Sequence, residues 1–205
     1  MGIYGERILP RIQDKVMKRK GMSEVRRRVC SGLSGDVVEV GFGTGLNVPY
    51  YPSEVRKVFA VEPSRVCMQL AQERISRSSV PVELAGLTGE HLDLPSESFD
   101  SVLSTWTLCT IPNLEAALKE IHRVLKSGGT FHFVEHGHAP DTKTARWQRR
   151  IEPFNKKIAG GCHLTRRVPE SLERAGFQIE HLETYYFEGE PKPFGYTFEG
   201  RAARS

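Results

Sequence analysis

The sequence predicts an α/β fold built on a doubly wound, mostly parallel sheet, and three observations carry that reading. Short apolar, β-branched runs alternate with helical patterns from residue 36 onward, the signature of parallel strands joined by crossover helices. The first run leads straight into a glycine loop, Glu39-Val40-Gly41-Phe42-Gly43-Thr44-Gly45, an arrangement that lets a ligand approach the backbone at a strand end. The chain closes on two β-rich stretches, 177–187 and 194–203, joined by the turn-rich segment 188–193. A connection that short makes two paired strands antiparallel.

The elements follow in order. Ile8, Ile12, Val16 and Met17 recur at helical spacing and predict N-terminal cover helices over residues 1–34, laid across a cleft or docked statically on the sheet. Strands are expected near 36–40, 57–61, 82–87, 99–104 and 129–135. Between them, Ser64 opens the helical pattern Val66, Leu70, Ala71, Ile75, and Asn113 opens Leu114, Ala117, Leu118, Ile121, Leu125; each begins with a residue whose side chain caps a helix start. Lys126-Ser127-Gly128-Gly129 ends the second of these and turns into the next strand. A helix over 144–157, a break at Gly160-Gly161 and a helix over 169–175 fill the segment before the terminal hairpin. With no repeat, low-complexity tract or linker, residues 1–205 are read as a single domain, 35–205 forming its core.

At 205 residues the chain can bury roughly 70% of its unfolded surface without disulfides or metal. Its cysteines, Cys30, Cys67, Cys109 and Cys162, are far apart and form no C-x-x-C pair, so a reducing, cytoplasmic setting is expected. The N-terminal stretch has too short an apolar run for a signal peptide, and no segment approaches the ~20 apolar residues of a membrane span. The chain begins Met1-Gly2, but Glu6 stands where a myristoylation signal wants Ser or Thr. The net charge of +4 comes largely from Lys15, Lys18, Arg19, Lys20 and Arg26, Arg27, Arg28. That run is read as a solvated helix face, with peripheral contact to an anionic membrane as the sharper alternative. No DNA-binding motif or aromatic interleaving accompanies it, so nucleic acid is not an expected partner. The oligomeric state is not specified by the sequence.

The loop spacing excludes two nucleotide devices. A dinucleotide fingerprint needs glycine where Leu46 stands, and no Gly-Lys-Ser/Thr follows to make a Walker A loop. A nicotinamide-dependent oxidoreductase is disfavoured accordingly. Glu62 ends the second predicted strand, Val58–Val61, where a carboxylate accepts hydrogen bonds from ribose hydroxyls. Leu92-Asp93-Leu94-Pro95, Ser98-Phe99-Asp100 and Arg123–Gly129 follow in order.

In this combination the chain resembles the class I S-adenosylmethionine-dependent methyltransferases over nearly all of residues 35–203. The resemblance implies a Rossmann-like, doubly wound seven-stranded sheet with an antiparallel last strand. It implies S-adenosyl-L-methionine as cofactor and S-adenosyl-L-homocysteine as product. By position, Gly41, Gly43 and Gly45 lie against the cofactor's amino-acid part, Glu39 near its ammonium, and Glu62 on its ribose. Thr88, Gly89 and Glu90 stand where many relatives carry an adenine-clasping Asp-Ala pair; the missing Asp leaves the backbone N–H of Gly89 for that task. Ser104, Thr105 and Trp106 border the methionine moiety.

A closer resemblance is to the methyltransferase-like family that includes the alkyl thiol methyltransferases. It lies in Thr107-Leu108-Cys109-Thr110-Ile111, Phe133-Val134-Glu135-His136, Gly161-Cys162-His163-Leu164-Thr165-Arg166 and Leu172-Glu173-Arg174-Ala175. The mammalian members' hydrophobic N-terminal anchor is not matched. The implied acceptor is a small, apolar molecule, a thiol first, with a quinone, phenol or phospholipid headgroup as alternatives. A non-catalytic cofactor-binding module is the rival from another class. His136, at the end of the predicted fifth strand, is the candidate base or orienting group. Cys162 and His163 are candidates for a lid over the acceptor. His132, His136 and His138 do not match a common zinc spacing, so no metal is expected.

Overall fold

The computed structural model describes residues 4–204; the Met1-Gly2 start weighed for lipid attachment lies outside them. One sheet is formed by β1 (Gly35–Val40), β2 (Val55–Val61), β3 (Val82–Gly86), β4 (Phe99–Thr105), β5 (Leu125–His136), β6 (Phe177–Tyr186) and β7 (Tyr196–Arg204). Its strand order is β3-β2-β1-β4-β5-β7-β6. The first five strands pair in parallel, and β7 runs antiparallel between β5 and β6. This is the fold the alternation and the terminal hairpin predict. The winding direction changes between β1 and β4, so the crevice beyond their carboxyl ends is the place for a ligand.

The connections are α1 (Leu9–Val16), α2 (Lys20–Cys30), α3 (Arg65–Ser76), α4 (Leu114–Val124), α5 (Thr142–Ile158), α6 (Val168–Arg174) and α7 (Lys192–Gly195). The two expected caps form: the Ser64 hydroxyl accepts from the Cys67 N–H at 3.2 Å, and the Asn113 side chain from the Ala116 N–H at 3.1 Å. β5 starts at Leu125, earlier than its apolar run, because Leu125 still pairs with Phe99 across the irregularity at the Gly128-Gly129 turn. The short helix α7 occupies the connection read as plain turn.

Side-chain alternation along the strands divides the core. Val38, Val40, Val102, Phe131 and Phe133 pack with Leu118, Ile121 and Leu172 from α4 and α6. Val37, Val58, Leu103 and Val134 meet Met22, Val25 and Val29 of α2 on the opposite face. Glu39, two residues after Val37, therefore faces α2, and His136, two after Val134, lies on the same side. Among the described residues no helix is long and apolar enough to cross a membrane.

Candidate functional site

The glycine loop begins where β1 ends. Gly43 has φ +57°, a left-handed conformation that a β-branched residue adopts only under strain. A Cβ placed there would meet nothing nearer than the Gly41 carbonyl oxygen at 3.9 Å, so the space in front of Gly43 is open. Gly41 differs: a Cβ would fall 2.1 Å from Thr107 Oγ1, so this glycine lets the loop approach the segment after β4. Glu62 ties the loop to the end of β2. One of its oxygens accepts from the Gly43 N–H and the other from the Ser64 N–H, both at 2.8 Å. Burial raises its pKa, and these backbone bonds pull the other way.

Beside the loop lies a buried polar network. Glu39 is fully buried; one oxygen accepts from Asn47 Nδ2 at 2.9 Å and the other from the Tyr51 hydroxyl. Burial lifts its pKa to about 7 against those bonds and the nearby Arg26 charge. Arg26 reaches in from α2, donating through Nη1 to Asn47 Oδ1 at 2.7 Å and Thr105 Oγ1 at 3.0 Å. Its guanidinium lies 4.9 Å from the centre of the Trp106 ring. Arg26 Nε and Trp106 Nε1 are buried without a hydrogen-bond partner among the described residues, an uncommon condition that points to a missing acceptor.

Arg26 is not among the residues that the sequence places in the site, because its charge run reads as a solvated face. Arg27 and Arg28 are exposed as expected, but Arg26 is 5% exposed. The signal was present in the spacing: Met22, Arg26 and Val29 share the helix face that also carries Val25. α1 reaches the loop through a polar residue, Asp14, which accepts from the Thr44 hydroxyl at 2.7 Å and from Arg74 Nη2 at 3.0 Å, whereas Ile8, Ile12 and Val16, the apolar stripe expected to dock, are exposed.

The other predicted cofactor residues separate. Thr105 joins the Arg26–Asn47 network and Trp106 stacks on it, whereas the buried Ser104 hydroxyl turns to Glu135 at 3.0 Å. Thr88 pairs with His91 in a turn after β3, and the Thr88 hydroxyl accepts from the Glu90 N–H at 3.2 Å. Gly89 is packed tightly on the end of β1, where a Cβ would come within 2.8 Å of Val40 Cγ1.

A second cluster forms at the carboxyl ends of β4 and β5. Glu135, fully buried, accepts from the N–H groups of Thr107 and Leu108 at 2.9 Å and of Cys109 at 3.2 Å. It thereby shapes the turn after Trp106, itself at φ +51°. His136, half-buried, lies with its ring centre 6.5 Å from that of Trp106. Its neighbours are not His132 and His138 but Cys109 and Cys162: one donor atom from each of these three residues lies within 4.8 Å of the others. The neighbouring Cys109 thiol draws the Cys162 thiol down, helped by His136, while the same neighbour and burial push Cys109 up.

His163 turns its ring to Glu152, with Nδ1 at 3.4 Å, and its backbone N–H donates to the Cys109 carbonyl at 2.8 Å. This joins the segment after α5 to the turn after β4. His132 lies near the start of the α2-facing run, 3.1 Å from Thr130 Oγ1, with burial holding its pKa down to about 4. That is a structural role. The site thus has a carboxylate-and-arginine half at β1 and a sulfur-and-imidazole half at β5.

Residues 38–133 match a family model described as a methyltransferase domain. A thiol S-methyltransferase of Rattus norvegicus is 34% identical over 186 residues, covering 86% of this chain and 72% of that protein. A thiol S-methyltransferase of Homo sapiens is also 34% identical over 186 residues, covering 82% and 75%. Among solved structures, an S-adenosylmethionine-dependent methyltransferase from Thermotoga maritima, described as a possible histamine N-methyltransferase, aligns with a TM-score of 0.69 at 24% identity. That alignment covers 99% of this chain and 98% of the other.

Proposed function

We infer that this chain, which belongs to the S-adenosylmethionine-dependent methyltransferase family that contains the thiol S-methyltransferases, methylates the sulfur of a small, apolar thiol. One observation carries the acceptor: relatives named for thiol methylation match most of both chains at about a third identity. S-adenosylmethionine supplies an electrophilic methyl on a sulfonium, so the protein's work is to position, to orient and to exclude water.

The residues present suit that cofactor. Glu39 offers a buried carboxylate for its ammonium, and Arg26, with Nε unpartnered, offers a donor for its carboxylate. Glu62 retains free lone pairs for ribose hydroxyls. Open space in front of Gly43 admits the ligand against the backbone, and Leu87, 61% exposed beside Thr88, gives adenine an apolar surface to cover. On the acceptor side, His136 orients the thiol or takes its proton. A free thiol titrates near ~8.5 and needs only modest help to ionise. Four buried, free cysteines suit a reducing compartment, and the cytoplasm is the proposed place of action.

Glu39 makes cofactor binding pH-dependent. Its carboxyl is held up to about 7, so the free protein carries it protonated below that pH, whereas a ligand ammonium favours the carboxylate. Binding then releases a proton, and affinity rises with pH up to about 7 and levels above it, by at most about tenfold per unit. Calorimetry in buffers of different ionisation enthalpy measures both effects. The slope should be absent in Glu39→Gln, and a wild-type slope equal to the variant's would remove Glu39 from the ammonium site.

Formation of S-adenosylhomocysteine across a panel of thiols, phenols, quinols and headgroup amines tests the acceptor class. Thiols should turn over, and His136→Gln should lower that rate by ~10²-fold or more with cofactor affinity unchanged. Turnover confined to a phenol, quinol or amine would reject the thiol reading; no turnover with bound cofactor would favour a binding module.

A further inference from the structure

We propose that Cys109, His136 and Cys162 form a binding site for a soft divalent metal ion of the Zn(II) type, with one coordination position left open for the acceptor thiol. The open-position part rests on the thiol reading above; the metal site itself does not. Three segments distant in sequence converge to make it: the turn after β4, the end of β5 and the loop between α5 and α6. Their donor atoms lie within 4.8 Å of one another. A tetrahedral zinc with bonds to sulfur of ~2.3 Å holds its sulfurs about 3.8 Å apart, so contraction by about 1 Å suffices.

The surrounding bonds hold the donors in place, as an outer shell does around a metal. Glu135 accepts from the Cys109 N–H at 3.2 Å. Asn155 Nδ2 donates to the Cys162 carbonyl at 2.8 Å. The His163 N–H bonds the Cys109 carbonyl at 2.8 Å, locking the two cysteine-bearing loops together. Packing against Leu164 accounts for two buried thiols, but not for an imidazole brought beside them. Two thiolates and one imidazole are a zinc donor set, and among the described residues no further Cys, His, Asp or Glu joins the group. Three protein ligands are the number that leaves a position for water or substrate.

His132, His136 and His138, whose spacing speaks against zinc, do not form a group among the described residues. With the cysteines instead, binding breaks two S–H bonds and makes two metal–sulfur bonds, with both protons passing to solvent and His136 donating a lone pair as neutral imidazole. An acceptor thiol entering the open position loses its proton to solvent and binds as thiolate, keeping a lone pair on sulfur for the new carbon–sulfur bond. His136 then acts as a ligand, and no free base is needed.

The test is titration of the full-length, reduced, chelator-treated protein with Co(II), following thiolate-to-cobalt charge transfer and the ligand-field bands of tetrahedral cobalt, then displacement by Zn(II). One ion per chain is expected, and a small thiol should perturb the bands. Cys109→Ser, Cys162→Ser and His136→Asn should each weaken binding by more than the roughly 10–100-fold that loss of an outer-shell partner costs, while Cys30→Ala and Cys67→Ala leave it unchanged. Absence of charge transfer in the folded, reduced wild type overturns the site, as does binding that survives Cys109→Ser/Cys162→Ser. A Cys109–Cys162 disulfide that, once reduced, still takes no cobalt overturns it too. Thiol methylation by metal-free protein would sink the metal role and leave the thiol reading standing. Cobalt binding without thiol methylation would do the reverse.

Discussion

Gly43→Val is expected to weaken S-adenosylmethionine binding by about a hundredfold or more, equivalent to roughly 2.7 kcal/mol, while leaving the protein folded. The valine side chain would enter the space in front of the loop, where a Cβ meets nothing nearer than 3.9 Å. Part of the damage is conformational, since φ is +57° and a left-handed residue with a side chain costs about 1–2 kcal/mol. Gly128→Val separates the two effects. Gly128 sits at φ +73° with nothing within 4 Å, far along the chain at the irregularity inside β5 between the paired residues Leu125 and Thr130. That variant should lose comparable stability and bind the cofactor normally. Calorimetry and thermal melts on both proteins decide the matter: equal affinities would mean that the open face of Gly43 is not where the cofactor lies.

Glu135→Ala should be the most destabilising single change in the site, by about 3–5 kcal/mol, because four donors lose one shared buried acceptor. The N–H groups of Thr107, Leu108 and Cys109 and the Ser104 hydroxyl all lose their acceptor, and an orphaned buried donor costs about 1–3 kcal/mol. In a chain of this size that corresponds to a melting-temperature drop of about 10 °C. Glu135→Gln keeps a carbonyl for some of these donors and should lose less. A melting temperature for Glu135→Ala within a degree or two of wild type would show that the turn carrying Cys109 is held by something else.

The sheet was legible because strand signals are local. Val37-Val38 before the loop, the apolar runs at 58–61 and 129–135, and the capped helices at Ser64 and Asn113 each need only neighbours in sequence. Glu62 was legible for the same reason, as a carboxylate directly after an apolar strand. Its bond to the Gly43 N–H was not, because it depends on how two strand ends meet in space. Arg26 was hidden by its company: in a run of three arginines, charge suggested solvent, and only the spacing to Met22 and Val29 marks the middle of the face. Glu135 reads in sequence only as part of the Phe133–His136 strand end, yet its partners include backbone N–H groups 26 to 28 residues away. The Cys109–His136–Cys162 group could not be read from spacing, since each residue comes from a different turn and only the sheet brings them together.

The most direct measurement follows a labelled methyl from S-adenosylmethionine to product by mass spectrometry, with wild type and His136→Gln in parallel and one small apolar thiol as acceptor. The expected result is a labelled methyl thioether formed one-for-one with S-adenosylhomocysteine by the wild type, and its near disappearance in the variant although the variant still binds the cofactor. Label found on oxygen, nitrogen or carbon of another acceptor, with none on the thiol's sulfur, would contradict it.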